Sequence, residues 1–161
     1  MVNPKIIERV KSRLLKVLDN KKIVTEKDIL VKYSCDETSD LKFNPDLLVR
    51  AETVEDVSQT LKICNEFKVP VTPRGAGTGV TGGAVPVRGG VVLSIEKMNR
   101  ILEIDKENMV AVVQPGVITN DLQKSVSLEG LMYPPDPASL ETCSIGGNVA
   151  ENAGGPKAVK Y

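Results

Sequence analysis

Between Pro73 and Gly83 the chain reads Pro-Arg-Gly-Ala-Gly-Thr-Gly-Val-Thr-Gly-Gly. Almost no Cβ atoms keep a ligand away from such a backbone, so its N–H groups can converge on the oxygens of an anion. Thr78 and Thr81 add hydroxyl donors, and Arg74 supplies either a charge or a pin for the loop. Gly77, Gly79 and Gly82 satisfy the G-x-G-x-x-G pattern of dinucleotide sites. In a Rossmann turn those glycines open a helix whose N-terminus holds the pyrophosphate. Here they run on into Gly83-Ala-Val-Pro86-Val-Arg-Gly89-Gly90, which has helix breakers and no helical apolar period. No Gly-Lys-Ser/Thr follows either, so the P-loop pattern fails. Seven of the sixteen residues from 75 to 90 are glycine, an ordering cost that a plain hairpin connection does not require. A second stretch runs from Pro135-Asp-Pro-Ala-Ser139 through Ile145-Gly-Gly-Asn148 to Asn152-Ala-Gly-Gly155. It repeats the idea, with Asn and Ser able to bond ring heteroatoms. Read as two bare-backbone loops, the pair would line both sides of one extended, phosphate-bearing ligand.

Other chemistry is thinly supplied. The chain has 161 residues and no histidine, which excludes a Ser-His-Asp triad, His-ligated metal and imidazole acid–base catalysis within it. Its 21 basic and 21 acidic side chains balance, whereas a nucleic-acid groove needs a basic excess. Cys35, Cys64 and Cys143 are too widely spaced for a C-x-x-C site and too few for a disulfide framework. They suit a reducing, cytoplasmic compartment. Cys143 reads as a small buried filler in the second loop, and Glu141 and Glu151 as surface carboxylates. Tyr133 either stacks on a ring or packs against the proline-rich loop. No apolar run approaches the ~20 residues of a membrane span, and the mixed charges of the N-terminus do not make a signal peptide.

The elements that must position these loops follow from periodicity. Ile6, Val10, Leu14 and Val17/Leu18 form a helical stripe. It suits a helix docked on its own domain better than one lying on a membrane, although peripheral association stays open. Thr25 is expected to cap a short helix through Val31, and 34–44 reads as a polar loop. Asp46 to Ala51 is a strand after Pro45. Thr53, with Asp56 three residues on, opens a helix whose apolar face is Val54, Val57, Leu61, Cys64 and Phe67. Val69 to Pro73 is a second strand, so the unit is βαβ with parallel strands. Val91–Ile95, Ile101–Ile104 and Met109–Val113 are three further strands. Thr119 is expected to cap a helix ending at Gly130 in the C′ position. The class is α/β (α+β).

Taken together these motifs resemble one family. Pro73 to Ala84 is similar to the pyrophosphate loop of the FAD-linked oxidases with a PCMH-type (vanillyl-alcohol-oxidase-like) FAD domain. The subgroup it resembles comprises the FAD-linked subunit of glycolate oxidase and the D-lactate dehydrogenases. Pro45-Asp-Leu-Leu-Val, Thr53-Val-Glu-Asp-Val, Gln114-Pro-Gly-Val117, Pro134 to Ser139 and Thr142 to Gly155 carry the likeness in order. It implies an N-terminal helical segment over 1–42 and the first part of the FAD domain over 43–161. It further implies that Arg74, Gly75, Ala76, Gly77, Thr78, Gly79, Gly82 and Gly83 surround the pyrophosphate. Pro115 and Gly116 would pass close to the cofactor. Pro135, Asp136, Ser139, Gly146, Gly147, Asn148 and Asn152 would follow the ribityl chain and isoalloxazine. With no histidine to tether it, FAD would be non-covalent. The parent reaction would oxidise a small 2-hydroxy acid, with a protein electron acceptor as a further partner. The same likeness implies a chain cut short at Tyr161, which alone binds FAD weakly or not at all and has no turnover. The competing expectation is a free-standing glycine-loop binding or assembly module without redox activity.

Overall fold

Two short apolar runs, Leu47–Arg50 (β2) and Val91–Ser94 (β4), form the centre of the molecule. The structure, a computed structural model, describes residues 2–161. β2 and β4 pair in parallel, and β3 (Val71–Arg74) adds in parallel on the other side of β4. β1 (Ile23–Val24) joins β2 antiparallel, giving the order β1-β2-β4-β3. The expected βαβ unit is present, with β4 inserted between its two strands.

The alternation of side chains along the central strands splits the core in two. Leu47, Val49, Val91 and Leu93 face a cluster with Ile7, Val10 and Leu14 of helix α1 (Pro4–Leu14) and Ile63 and Cys64 of helix α3 (Val54–Glu66). Leu48 and Val92 face the other side, against Val24, Tyr33 and Leu30, the last from the short helix α2 (Lys27–Leu30). Such strands, covered on both faces, read as continuous apolar runs. The N-terminal stripe is docked on this sheet. Cys64 is enclosed there, and burial pushes its thiol up to about 11.

Two local expectations about the helices need correction. Thr25 does not cap α2: the N-cap is Glu26, with no side-chain capping bond. Helix α3 does begin with the Thr53–Asp56 capping box, and Val57, Cys64 and Phe67 of the expected face pack on the core, but the buried stripe is shifted at its margins. Val54 and Leu61 are exposed, while Asp56, Thr60, Ile63 and Cys64 are buried. Asp56 is drawn inward because its Oδ2 accepts from the Glu52 and Thr53 amides at 2.9 and 3.0 Å and from Lys22 Nζ at 2.8 Å. Thr60 donates to the Asp56 carbonyl at 2.7 Å. A satisfied polar pair thus occupies a stripe that apolar periodicity alone assigns elsewhere.

The remaining elements form a second cluster. β5 (Ile101–Asp105) and β6 (Val110–Val113) make an antiparallel hairpin. Ile101, Ile104, Ala111 and Val113 pack on Val117, Leu122 and Val126, the last two from helix α4 (Thr119–Leu128). Thr119 is the first residue of α4 rather than its cap, which is Ile118. The far end behaves as expected: Gly130 has φ +75°, and Leu131 N donates to the Val126 carbonyl at 3.0 Å, a Schellman closure. No helix among the described residues is long and apolar enough to cross a membrane.

Candidate functional site

β3 and β4 both end at one edge of the sheet, and the glycine-rich segment leaves β3 there. It forms no helix between residues 79 and 90, which removes the Rossmann reading. With the segment around residues 144–148 it encloses a cavity of about 470 Å³, within the usual range of small-molecule sites.

One wall is the first glycine segment: Arg74, Gly75, Ala76, Gly77, Thr78, Gly79 and Gly83 all line the cavity. Its backbone is unusual. From Gly75 through Thr81, no backbone N–H finds a hydrogen-bond acceptor among the described residues. Backbone donors are strong and are normally paired, so a run of free ones beside a cavity leaves N–H groups available to an anionic ligand. The curvature is set from beneath. Arg74 is buried; its guanidinium donates to the Cys35 carbonyl at 2.8 Å and the Ala84 carbonyl at 3.4 Å, and lies over the Tyr33 ring at 5.5 Å. Arg74 is therefore the pin of the loop. It occupies the space where a Cβ at Gly77 would stand, and Gly77 has φ +76°, so only glycine fits there without strain.

The opposite wall corrects the second-loop expectation. Ile145–Ala150 is a helix, α5, capped by Ser144, whose Oγ accepts from Gly147 N at 3.3 Å. Ile145 N donates to the Val117 carbonyl at 2.9 Å and Gly146 N to the Pro115 carbonyl at 2.7 Å. The first-turn amides are thus already used, and the two walls are chemically unequal. Gly146, Gly147, Asn148, Ser139 and Pro115 line the cavity, but as surface rather than as a second run of free donors. Asn148 is buried and its amide donates to Thr119 Oγ1. Thr119 Oγ1 also lies 3.2 Å from Cys143 Sγ. Cys143 is a buried filler, as its surroundings require, and this small network ties α5 to the start of α4. The walls meet where Ser144 Oγ sits in the place a Gly75 Cβ would take.

The other expected contacts stand off the cavity. Gly82 lies over Leu41, and Gly116 abuts the carbonyls of Ile95 and Met98. The Pro135 carbonyl accepts from Gln123 Nε2 at 2.7 Å. Asp136 pairs with Lys157 at 3.1 Å. Asn152 is exposed, with φ +54°. Glu151 does reach the cavity, where it accepts from Thr81 Oγ1 at 2.7 Å across its mouth.

Asp36, in the loop between α2 and β2, also lines the cavity. Burial opposes its charge, but Thr38 and the Gly82 and Ala84 amides outweigh burial and hold the carboxyl below its ordinary range. The spacing Asp36-Glu-Thr38 is an Asx-turn signature, and Thr38 N does donate to Asp36 Oδ1 at 2.9 Å. That signal could have marked this polar segment as ordered.

Residues 45–161 match the model of the FAD-binding domain family, and the chain belongs to that family, with the PCMH-type fold. It is 43% identical over 156 residues to glycolate oxidase subunit GlcD of Bacillus subtilis, covering 97% of this chain and 33% of that protein. It is 45% identical over 161 residues to a D-lactate dehydrogenase of Anaerostipes hadrus, covering 99% and 33%. In structure it resembles alkyldihydroxyacetonephosphate synthase with TM-score 0.84 at 23% identity, over all of this chain and 31% of that one. The chain thus spans about a third of the length of the curated relatives it matches.

Proposed function

We propose that this chain is the FAD-binding portion of a flavin-dependent D-2-hydroxy-acid dehydrogenase or oxidase of the glycolate and D-lactate type. The observation that carries the reading is the run of unpaired amides from Gly75 to Thr81 along the cavity wall. That donor set suits a pyrophosphate, which brings acceptors and no donors of its own. Thr78 adds a hydroxyl on the same wall. Gly146, Gly147 and Ser139 offer a low-relief opposite wall against which a flat or extended group can lie. The residues present therefore fit FAD. When bound, FAD supplies the two-electron acceptor for oxidation of the hydroxy acid. The chain's own residues bind and orient: the glycine segment holds the phosphates, Arg74 keeps that segment curved, and α5 closes the far side. No residue here is assigned a catalytic role. With no histidine to form a tether, the cofactor is held non-covalently. The reaction belongs to the cytoplasm or the membrane periphery, with a protein partner accepting the electrons.

Titration of the purified chain with FAD, followed by quenching of flavin fluorescence, tests this. Saturable but weak binding is expected, with a Kd on the order of tens of micromolar, about −6 kcal/mol. Any bound flavin should pass entirely into the supernatant on acid precipitation. Gly77→Ala forces Arg74 out of its place and should weaken binding at least ~10-fold, about 1.4 kcal/mol, with the far-UV circular dichroism unchanged. No saturable binding by the unsubstituted chain would overturn the reading.

A further inference from the structure

The glycine segment is curved from outside by a loop that the cofactor reading does not use. Residues 34–43 leave the short helical turn after α2 and return toward β2, and the ends meet: Phe43 N donates to the Ser34 carbonyl at 2.8 Å. This is the closed form of an Ω loop. Its root is fixed, because Ser34 and Tyr33 are buried and the Tyr33 hydroxyl donates to Glu96 at 2.9 Å. From that root the loop grips the glycine segment at successive points. The Cys35 carbonyl takes the Arg74 guanidinium. Glu37 N donates to the Gly79 carbonyl at 3.0 Å. The Leu41 side chain fills the place a Cβ would occupy at Gly82, 2.6 Å away. Between these grips lies Asp36, whose Oδ2 is enclosed and makes no hydrogen bond among the described residues. A buried acceptor without a partner is costly.

We propose that the 34–43 loop is the positioning element of the anion site and that Asp36 is its positioning residue. The Asp36 carboxylate, its Oδ1 taking a charge-assisted bond from Thr38 N at 2.9 Å, sets the turn that carries the Cys35 and Glu37 grips. Leu41 packed on Gly82 holds the Gly82–Ala84 end of the glycine segment against the Ω loop. Arg74 holds the other end. The intervening amides, Gly75 to Thr81, are thereby held in one arc without using their donors on the protein. Asp36 touches no ligand in this account, since its free oxygen is enclosed. The proposal deepens the cofactor reading and rests on it for the identity of the anion, but the order of the loop is measurable without any ligand.

The test uses the ligand-free chain labelled with ¹⁵N. Backbone order parameters for Gly75 to Thr81 should be those of rigid backbone, about 0.85, in the unsubstituted chain. Asp36→Asn keeps the shape and removes the charge. It should drop those values below about 0.6 and reduce hydrogen-exchange protection of the Glu37 amide ~10-fold (about 1.4 kcal/mol). Values for β2 and β4 should not change. Should Asp36→Asn disturb the central strands as well, Leu41→Ala is the milder lesion in the same loop and must loosen the same amides. FAD titration of the same samples separates the two ideas. A loosened loop in a chain that never binds FAD sinks the cofactor reading and leaves the positioning role standing. An Asp36→Asn glycine segment as ordered as the original overturns the positioning role, whatever FAD does.

Discussion

At the scale of single residues, charge placement decides more than hydrophobicity here. Asp56 shows this outside the site. It is buried on α3, yet it accepts from Lys22 and from the two amides that open the helix. Burial pushes its carboxyl up, and the Lys22 ammonium, the Glu52 and Thr53 amides and the Thr53 hydroxyl push it further down, so the net direction is down. A carboxyl whose folded value lies below its unfolded one adds stability above the ordinary range near ~4. It loses that stability as pH falls through the lower, folded value. Asp56→Asn should therefore destabilise the chain by about 1–3 kcal/mol at neutral pH, read from the urea midpoint. The deficit should shrink as the solution is acidified below about pH 4. An equal deficit at pH 7 and pH 3 would show that the capping geometry matters and the charge does not.

Elements differ in how plainly the sequence announces them. The central strands were legible because Leu47–Val49 and Val91–Leu93 are short, unbroken apolar runs, and α4 because Gly130 marks its end. The first glycine segment was legible as an irregular loop, since no packed element tolerates so many glycines. The order β2-β4-β3 was not, because strand neighbours are chosen by contacts distant in sequence. Helix α5 was not legible either: Gly146 and Gly147 are poor helix formers. What makes them helical is external, namely the Ser144 cap and the bonds from Ile145 and Gly146 to the Val117 and Pro115 carbonyls. The buried contact of Asn148 with Thr119 continues that anchoring into the helix. Asn148→Ala leaves the Thr119 hydroxyl short of a donor, at about 1–3 kcal/mol. Because α5 has little intrinsic helicity, the loss should appear locally. Amide exchange of Asn148 and Glu151, which donate to Ser144 and Gly147, should speed up ~10-fold or more, while exchange in β2 and β4 stays as it was. Uniform acceleration across the chain would instead make Asn148 a global core residue.

For the whole molecule, the two clusters are unequally protected. The four-stranded sheet is covered on both faces, by α1 and α3 on one and by α2 and its neighbours on the other. The β5–β6 hairpin is covered on one face only. Its inner residues pack on α4, while Leu102, Val110 and Val112 on the outside are 55%, 50% and 43% exposed. Met109 at the turn is 77% exposed. A two-stranded ribbon also leaves both outer edges with unpaired backbone groups, the feature that natural sheets usually blunt with charge or cover. The balanced net charge gives no long-range repulsion to keep copies apart. The purified 161-residue chain should therefore self-associate as its concentration rises, with a sedimentation coefficient that drifts upward instead of settling at one oligomer. Leu102→Lys combined with Val112→Glu places charges on the outer face without touching the inner one. It should restore monomeric sedimentation and change stability by less than about 1 kcal/mol, since surface positions away from packed features tolerate substitution. A double variant that still associates would move the cause to another exposed surface, such as Leu128 and Met132 beyond α4, which are 87% and 55% exposed.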